Sequence, residues 1–251
     1  MSRLDVVHLG LRSYGEILEL QRAVARARIA RDVEHDVLLL VEHHPVVTLG
    51  RTAKAANLVA TPELLAARGV DRFEVERGGD VTFHGPGQLV GYPIIDLTGH
   101  KKDLHWYLRQ LEAALIRALG AWHIPAERNQ GLTGVWTRGR KIASIGVHAR
   151  EWVTWHGFAL NVSVDLSYFD LMVPCGISGV VMTSMERETA QRIPLADVST
   201  AVAHSLGEAF GLEVHLLPEG VLTDKASTPP DTAGSLPCNT GFVSGGAVDH
   251  A

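Results

Sequence analysis

Only two cysteines occur in the 251 residues, Cys175 and Cys238, and no C-x-x-C pair is formed. A disulfide framework and a cysteine zinc site are therefore excluded, and a reducing compartment is expected. Basic charge is also scarce, with 23 Lys and Arg against 28 Asp and Glu and a net charge of −5. Neutralising phosphates needs clustered cations, so no nucleic acid is expected as a partner. No apolar run approaches the roughly 20 residues of a membrane-spanning helix, and "MSRLDVVHLG" lacks a charged-then-apolar signal pattern. A cytoplasmic protein with no membrane association is the expectation.

Thirteen histidines are present, yet none form H-x-x-x-H or H-E-x-x-H. The adjacent His43 and His44 would point to opposite sides of a strand, so no metal site is expected. No G-x-G-x-x-G joins a strand to a helix and no G-K-[ST] closes a loop, which leaves a nucleotide cofactor without a motif.

What is present is an ordinary core composition, 46% hydrophobic, patterned as strands and helices. "LDVVHLG" reads as a strand and "SYGEILELQRAVARARIA" as a helix opened by a capping box of Ser13 and Glu16. "DVLLLVEH" and "PVVTLG" read as strands, "TPELLAARG" as a short helix capped by Thr61 with Pro62 in its first turn, and "VDRFEVER" as β structure. A glycine-rich turn precedes the strand "GQLVGYPIIDL". "DLHWYLRQLEAALIRALG" is a helix capped by Asp103, with Leu104, Leu108, Leu111, Leu115 and Leu119 at helical spacing. The strands "GLTGVWT", "KIASIGVHA" and "VTWHGFALNV" follow, then the helix "LADVSTAVAHSLGEAFG" and the strand "LEVHLL". Runs of strands between isolated helices predict an α+β fold, a mixed sheet with packed helices in a single domain over residues 1–217. Residues 218–251 lack periodicity and predict a disordered tail that includes Cys238.

Four segments carry candidate chemistry. "RGGDVTFHGPGQ", residues 77–88, sets glycines at 78, 79, 85 and 87 beside Arg77, Asp80, Thr82, His84 and Gln88. That is more glycine than a turn needs, and it lets backbone N–H groups approach a ligand. In "RKIASIGVHA", Lys141 shares parity with Ala143, Ile145 and Val147, where its amine would be partly desolvated. Small Gly157, Ala159 and Asn161 alternate with Phe158, Leu160 and Val162, and small residues facing one another across strands leave a slot for a thin apolar chain. Cys175, in "DLMVPCGISG", is by residue type a buried small hydrophobe or a nucleophile, and its glycines and proline favour a thiol that is closely approached.

In this order and spacing, "RGGDVTFHGPGQLVGYPIIDL", "GLTGVWTRGRKIASIGVHA", "HGFALNV" and "YFDLMVPCGI" resemble the octanoyltransferases of lipoate biosynthesis over residues 5–215. The resemblance implies the lipoate/biotin protein ligase-like catalytic fold. It implies transfer of an octanoyl group from octanoyl-acyl carrier protein to a lysine of the lipoyl domains of 2-oxoacid dehydrogenases and the glycine cleavage H protein. Cys175 would carry the acyl group and Lys141 would adjust its protonation. Arg77, Gly78, Gly79, Asp80, Val81, Thr82, Phe83 and His84, with Ser144, Ile145 and Gly146 and with Gly157, Phe158 and Ala159, would contact substrate. No cofactor and no metal are implied, and a monomer is expected.

A free thiol, with a pKa near about 8.5, is mostly protonated at neutral pH and needs a partner to form thiolate. Lys141 could stabilise the thiolate as an ammonium or take the proton as an amine, and the sequence leaves both open. Strict alternation sets Lys141 opposite Ser144 and Gly146, so a bulge or the turn must redirect one of them. An acidic carrier would need a basic patch, for which Lys101, Lys102 and Arg109, or Arg138 and Arg140, are candidates. Three alternatives differ in what they require. An ATP-dependent lipoate-protein ligase needs a phosphate loop and no Cys175, a cysteine thioesterase pairs Cys175 with a histidine, and an acyl-chain binding protein tolerates loss of both Cys175 and Lys141.

Overall fold

The computed structural model describes residues 2–173 and 179–221. In chain order its strands are β1 (Arg3–Arg12), β2 (Asp36–His43), β3 (Val46–Leu49), β4 (Asp71–Glu74), β5 (Val81–His84), β6 (Gln88–Ile94), β7 (Glu127–Asn129), β8 (Leu132–Thr137), β9 (Arg140–Arg150), β10 (Val153–Asn161) and β11 (Glu213–Leu217). The α-helices are α1 (Tyr14–Ala30), α2 (Pro62–Ala67), α3 (Leu104–Gly120), α4 (Met185–Thr189) and α5 (Leu195–Phe210).

Eight strands form one sheet in the order β11-β1-β2-β6-β10-β9-β8-β7. It is mixed, since β11, β1 and β2 run parallel and each pairing from β2 to β7 is antiparallel. Period-two alternation along the central strands sorts apolar side chains between two cores. Leu38 and Leu40 of β2 with Phe158 and Leu160 of β10 pack under α3 and α5. Val37, Leu39 and Val41 with Val90, Tyr92 and Ala159 pack on the other face with Ile17 and Val24 of α1. This is the α+β architecture with a mixed sheet that the sequence predicts.

A second sheet, β4-β3-β5, was not anticipated. It leans on the start of α1 through Tyr14, Leu18, Val46 and Val75. Its third strand occupies part of the segment read as a glycine-rich turn, because Val81 and Phe83 find an apolar cluster with Val47 and Leu49. The three-residue β7 also went unread, being too short for a period to show. Helix caps follow expectation at Thr61 and Asp103, whose side chains accept from Leu64 and Trp106 N–H. Ser13 occupies its cap position but its hydroxyl makes no capping bond.

In β6 a proline stands inside a central strand, where it cannot donate to the ladder. The hydroxyl of Thr154 compensates, donating to Pro93 O at 2.9 Å and accepting from Ile95 N–H at 3.0 Å. Nearby on β10, His156 has φ 55 and gives its N–H to Gln21 Oε1 of α1 at 3.0 Å.

Candidate active site

Between the two sheets lies a cavity of about 250 Å³. Its walls come from Val90 and Tyr92 on β6, His156 to Ala159 on β10, Lys141 and Ser144 to Gly146 on β9, Gly131 with Leu132 and Thr133 at the start of β8, and Arg77 to Thr82 with His84 opposite. Val90, Ala159 and Ser144 form one register row across β6, β10 and β9. Gly157 and Gly146 pair in the neighbouring row. The segment at residues 77–84 can come this close because Gly146 has no side chain, since a Cβ there would stand 2.8 Å from Gly78 O. The Gly78 N–H then donates to Val147 O at 2.9 Å.

Lys141 is 3% exposed and stands over the Trp136 ring at 5.5 Å from its centroid. The parity conflict in the sequence is resolved by a bulge. One step on β8, Val135 to Trp136, is matched by two on β9, Ala143 to Lys141. Ile142 and Ala143 both enter the core under α3 and α5, and Lys141 joins Ser144 and Gly146 at the cavity. Its side chain runs past Gly134, where a Cβ would come within 2.7 Å of Lys141 Cε. Gly134 N–H in turn donates to Glu112 Oε1 at 3.2 Å, a wholly buried carboxylate that also holds Arg109 and Arg128.

Arg77 lines the cavity, yet its guanidinium donates to Thr48 O, Gly78 O and Asp80 O at 2.8, 3.0 and 2.7 Å. These bonds pin the 77–80 loop to β3. Asp80 ties the same loop to Asn57 Nδ2 at 2.6 Å. Phe83, unlike its neighbours, does not reach the cavity; it is fully buried against Tyr168, ring on ring at 4.6 Å.

A cluster of rings closes the end of the cavity at β6. Tyr14 stacks on His84 and meets His43 edge-on, and Tyr92 donates its hydroxyl to His43 Nε2 at 2.7 Å. His43 Nδ1 then donates to Arg12 O at 3.2 Å, which fixes its neutral tautomer. Burial lowers the pKa of His43 to about 4 and of His84 to about 3. His84 donates to Gln88 Oε1 at 2.8 Å, Gln88 to Asn161 Oδ1 at 2.9 Å, and Asn161 to Thr183 O at 2.9 Å. Thr183 N–H donates to Lys141 O at 2.9 Å, so this polar chain runs from the ring cluster to the lysine.

Cys175 lies outside the described residues, as does Cys238. The chain on either side of 174–178 is anchored at the cavity's surroundings. Val173 N–H donates to Asn57 O at 2.7 Å, and Val181 O accepts from Lys141 N–H at 2.8 Å.

The Lipoyl protein ligase A/B catalytic domain family matches residues 13–207. An octanoyltransferase of Koribacter versatilis is 47% identical over 239 residues, covering 93% of this chain and 94% of that one. One of Solibacter usitatus is 53% identical over 206 residues, covering 82% and 92%. The chain belongs to the octanoyltransferase family. It is an acyltransferase that moves an octanoyl group in protein lipoylation. Its fold is shared with a bipartite lipoate protein ligase of Thermoplasma acidophilum, TM-score 0.72 at 14% identity over 90% of this chain and 91% of that one. A lipoate-protein ligase A bound with ATP superposes with the same TM-score, at 14% identity over 90% and 92%.

In this octanoyltransferase several residues at or beside the cavity carry no obvious signal in the sequence. Tyr14 and Tyr92 read as core positions of a helix and a strand, and Gly134 as an ordinary strand glycine. Only the packing of α1 against β6 and of β8 against β9 brings them to one site. Of the basic residues considered for docking, Arg138 and Arg140 pair with Glu188, Arg109 with Glu112 and Lys101 with Asp103, while Lys102 is exposed. Among the described residues no group of His, Cys, Asp and Glu could hold a metal ion, and no helix is long and apolar enough to cross a membrane.

Proposed function

We propose that the cavity holds the octanoyl chain while Cys175 carries it as a thioester between two protein partners. The observation that carries this reading is the buried Lys141 lining a cavity where β9 and β10 contribute the small residues Ser144, Gly146, Gly157 and Ala159, with Val181, shortly after Cys175, bonded to Lys141's own backbone. The donor is octanoyl-acyl carrier protein, and the acceptors are lipoyl domains of 2-oxoacid dehydrogenases and the glycine cleavage H protein. With the Cys175 proton taken up by Lys141, the Cys175 thiolate attacks the donor's carbonyl carbon, the new C–S bond forms as the old one breaks, and the carrier leaves as a thiol with the proton that Lys141 returns. The acceptor lysine amine then attacks the Cys175 thioester, the C–N bond of the amide forms as the C–S bond breaks, the amine's proton passes to Lys141, and Cys175 is released as the thiolate. Amide formation from a thioester is downhill, so no ATP enters. Ser144 to Gly146 and Gly157 to Ala159 line the chain, and Arg77 and Asp80 shape the loop that covers it. The protein works as a cytoplasmic monomer, with the catalytic domain at 1–217 and a tail after it.

Octanoylation of an apo lipoyl domain from octanoyl-acyl carrier protein, followed by mass, tests this. Cys175→Ser and Lys141→Ala should each reduce the rate by about 100-fold or more. Full rates in both variants would overturn the proposed pair.

A further inference from the structure

Resting on the reading of the cavity as an acyl site, we infer that Tyr92, with Val90 on the same face of β6, sets the length of chain the enzyme accepts. From Lys141 the cavity crosses β9 and β10, where its sheet-side surface is Ser144, Gly146, Gly157 and Ala159. These are small residues. At β6 the Ser144–Ala159 row reaches Val90, and Tyr92, two residues further along the same face, also lines the cavity; the two are 1% and 3% exposed. From β9 to β6 is two inter-strand spacings, about 10 Å. An extended eight-carbon chain, whose zigzag advances about 1.3 Å per C–C bond, spans about 9 Å and nearly fills that distance.

Tyr92 is not free to swing aside. Its hydroxyl is held by His43, His43 by Arg12 O, and Tyr14 packs on both His43 and His84. A close-packed wall of this kind yields little to a longer chain. Burial keeps both imidazoles uncharged, so the wall suits a methyl terminus.

The test compares hexanoyl, octanoyl and decanoyl thioester donors as ratios of kcat/KM, which cancel any shared loss of folded protein. Tyr92→Leu and Val90→Ala should each raise the decanoyl-to-octanoyl ratio by about 10-fold or more. Ala159→Leu, which fills the slot nearer Lys141, should raise the hexanoyl-to-octanoyl ratio instead. If Tyr92→Leu does not fold, Val90→Ala decides the matter alone. Ratios within about twofold of the unaltered enzyme in variants that still transfer octanoyl would overturn the inference. Absence of octanoyl transfer by the unaltered chain would instead overturn the acyl-site reading, and the inference with it.

Discussion

His84 on the cavity wall and His43 behind Tyr14 and Tyr92 are neutral rings, and their titration gives a prediction at the scale of single residues. An unfolded chain binds a proton on each near pH 6.5, whereas the folded chain waits until about pH 4 for His43 and about pH 3 for His84. The unfolded state therefore holds more protons through that window, and stability falls as pH drops below about 6.5 and stops falling once the folded rings charge. His43 alone accounts for something on the order of 3 kcal/mol of this loss. Proton NMR of the two rings should show neutral shifts down to about pH 5 with the chain still folded. Titration of either ring near 6.5 in the folded protein would contradict the burial account. At this scale the sequence showed which residue types gather, as in Arg77 to His84, but not what each one touches. Arg77 spends its charge on backbone carbonyls and Phe83 turns into the core, and both outcomes depend on the small sheet.

Between elements, the pairing of β8 with β9 decides where Lys141 points. The bulge was legible because Lys141 and Ser144 had opposite parity yet were expected at one site, and alternation cannot satisfy both. Gly134 was not legible, since its role appears only when β8 lies beside the lysine stem. It has φ 130, and an added Cβ would meet Ala143 O as well as Lys141 Cε at 2.7 Å. A backbone oxygen cannot step aside as a side chain can. Gly134→Ala should therefore destabilise the fold by about 1–3 kcal/mol and lower kcat by about 10-fold or more with a smaller change in KM. Thermal unfolding and steady-state kinetics would check both parts, and normal kcat would show that the lysine does not need this space. The same scale explains the unread elements. β5 and β7 are four and three residues long, and a cluster with Val47 and Phe169 stabilises the first where local propensity could not announce it.

Across the whole molecule, one mixed sheet with α3 and α5 on one face leaves the other face to be shared between α1 and a small sheet, and the cavity is the gap between the two sheets. Strand alternation made the two-faced sheet readable, because Val37 to Val41 feeds both cores in turn. The slot of small residues was readable in the sequence, but the loop that covers it was not, since that depends on Gly146 admitting the backbone of Gly78. Both flanks of 174–178 tie into this site, one through Asn57 and the other through Lys141. The claim that the acyl group rests on Cys175 between donor and acceptor is tested most directly by intact-mass spectrometry of the protein mixed with octanoyl-acyl carrier protein in the absence of ATP. One octanoyl adduct, mapped to Cys175 and moving to an apo lipoyl domain when that is added, is the expected result. Transfer to the lipoyl domain with no adduct formed, or only when free octanoate and ATP are supplied, would contradict it.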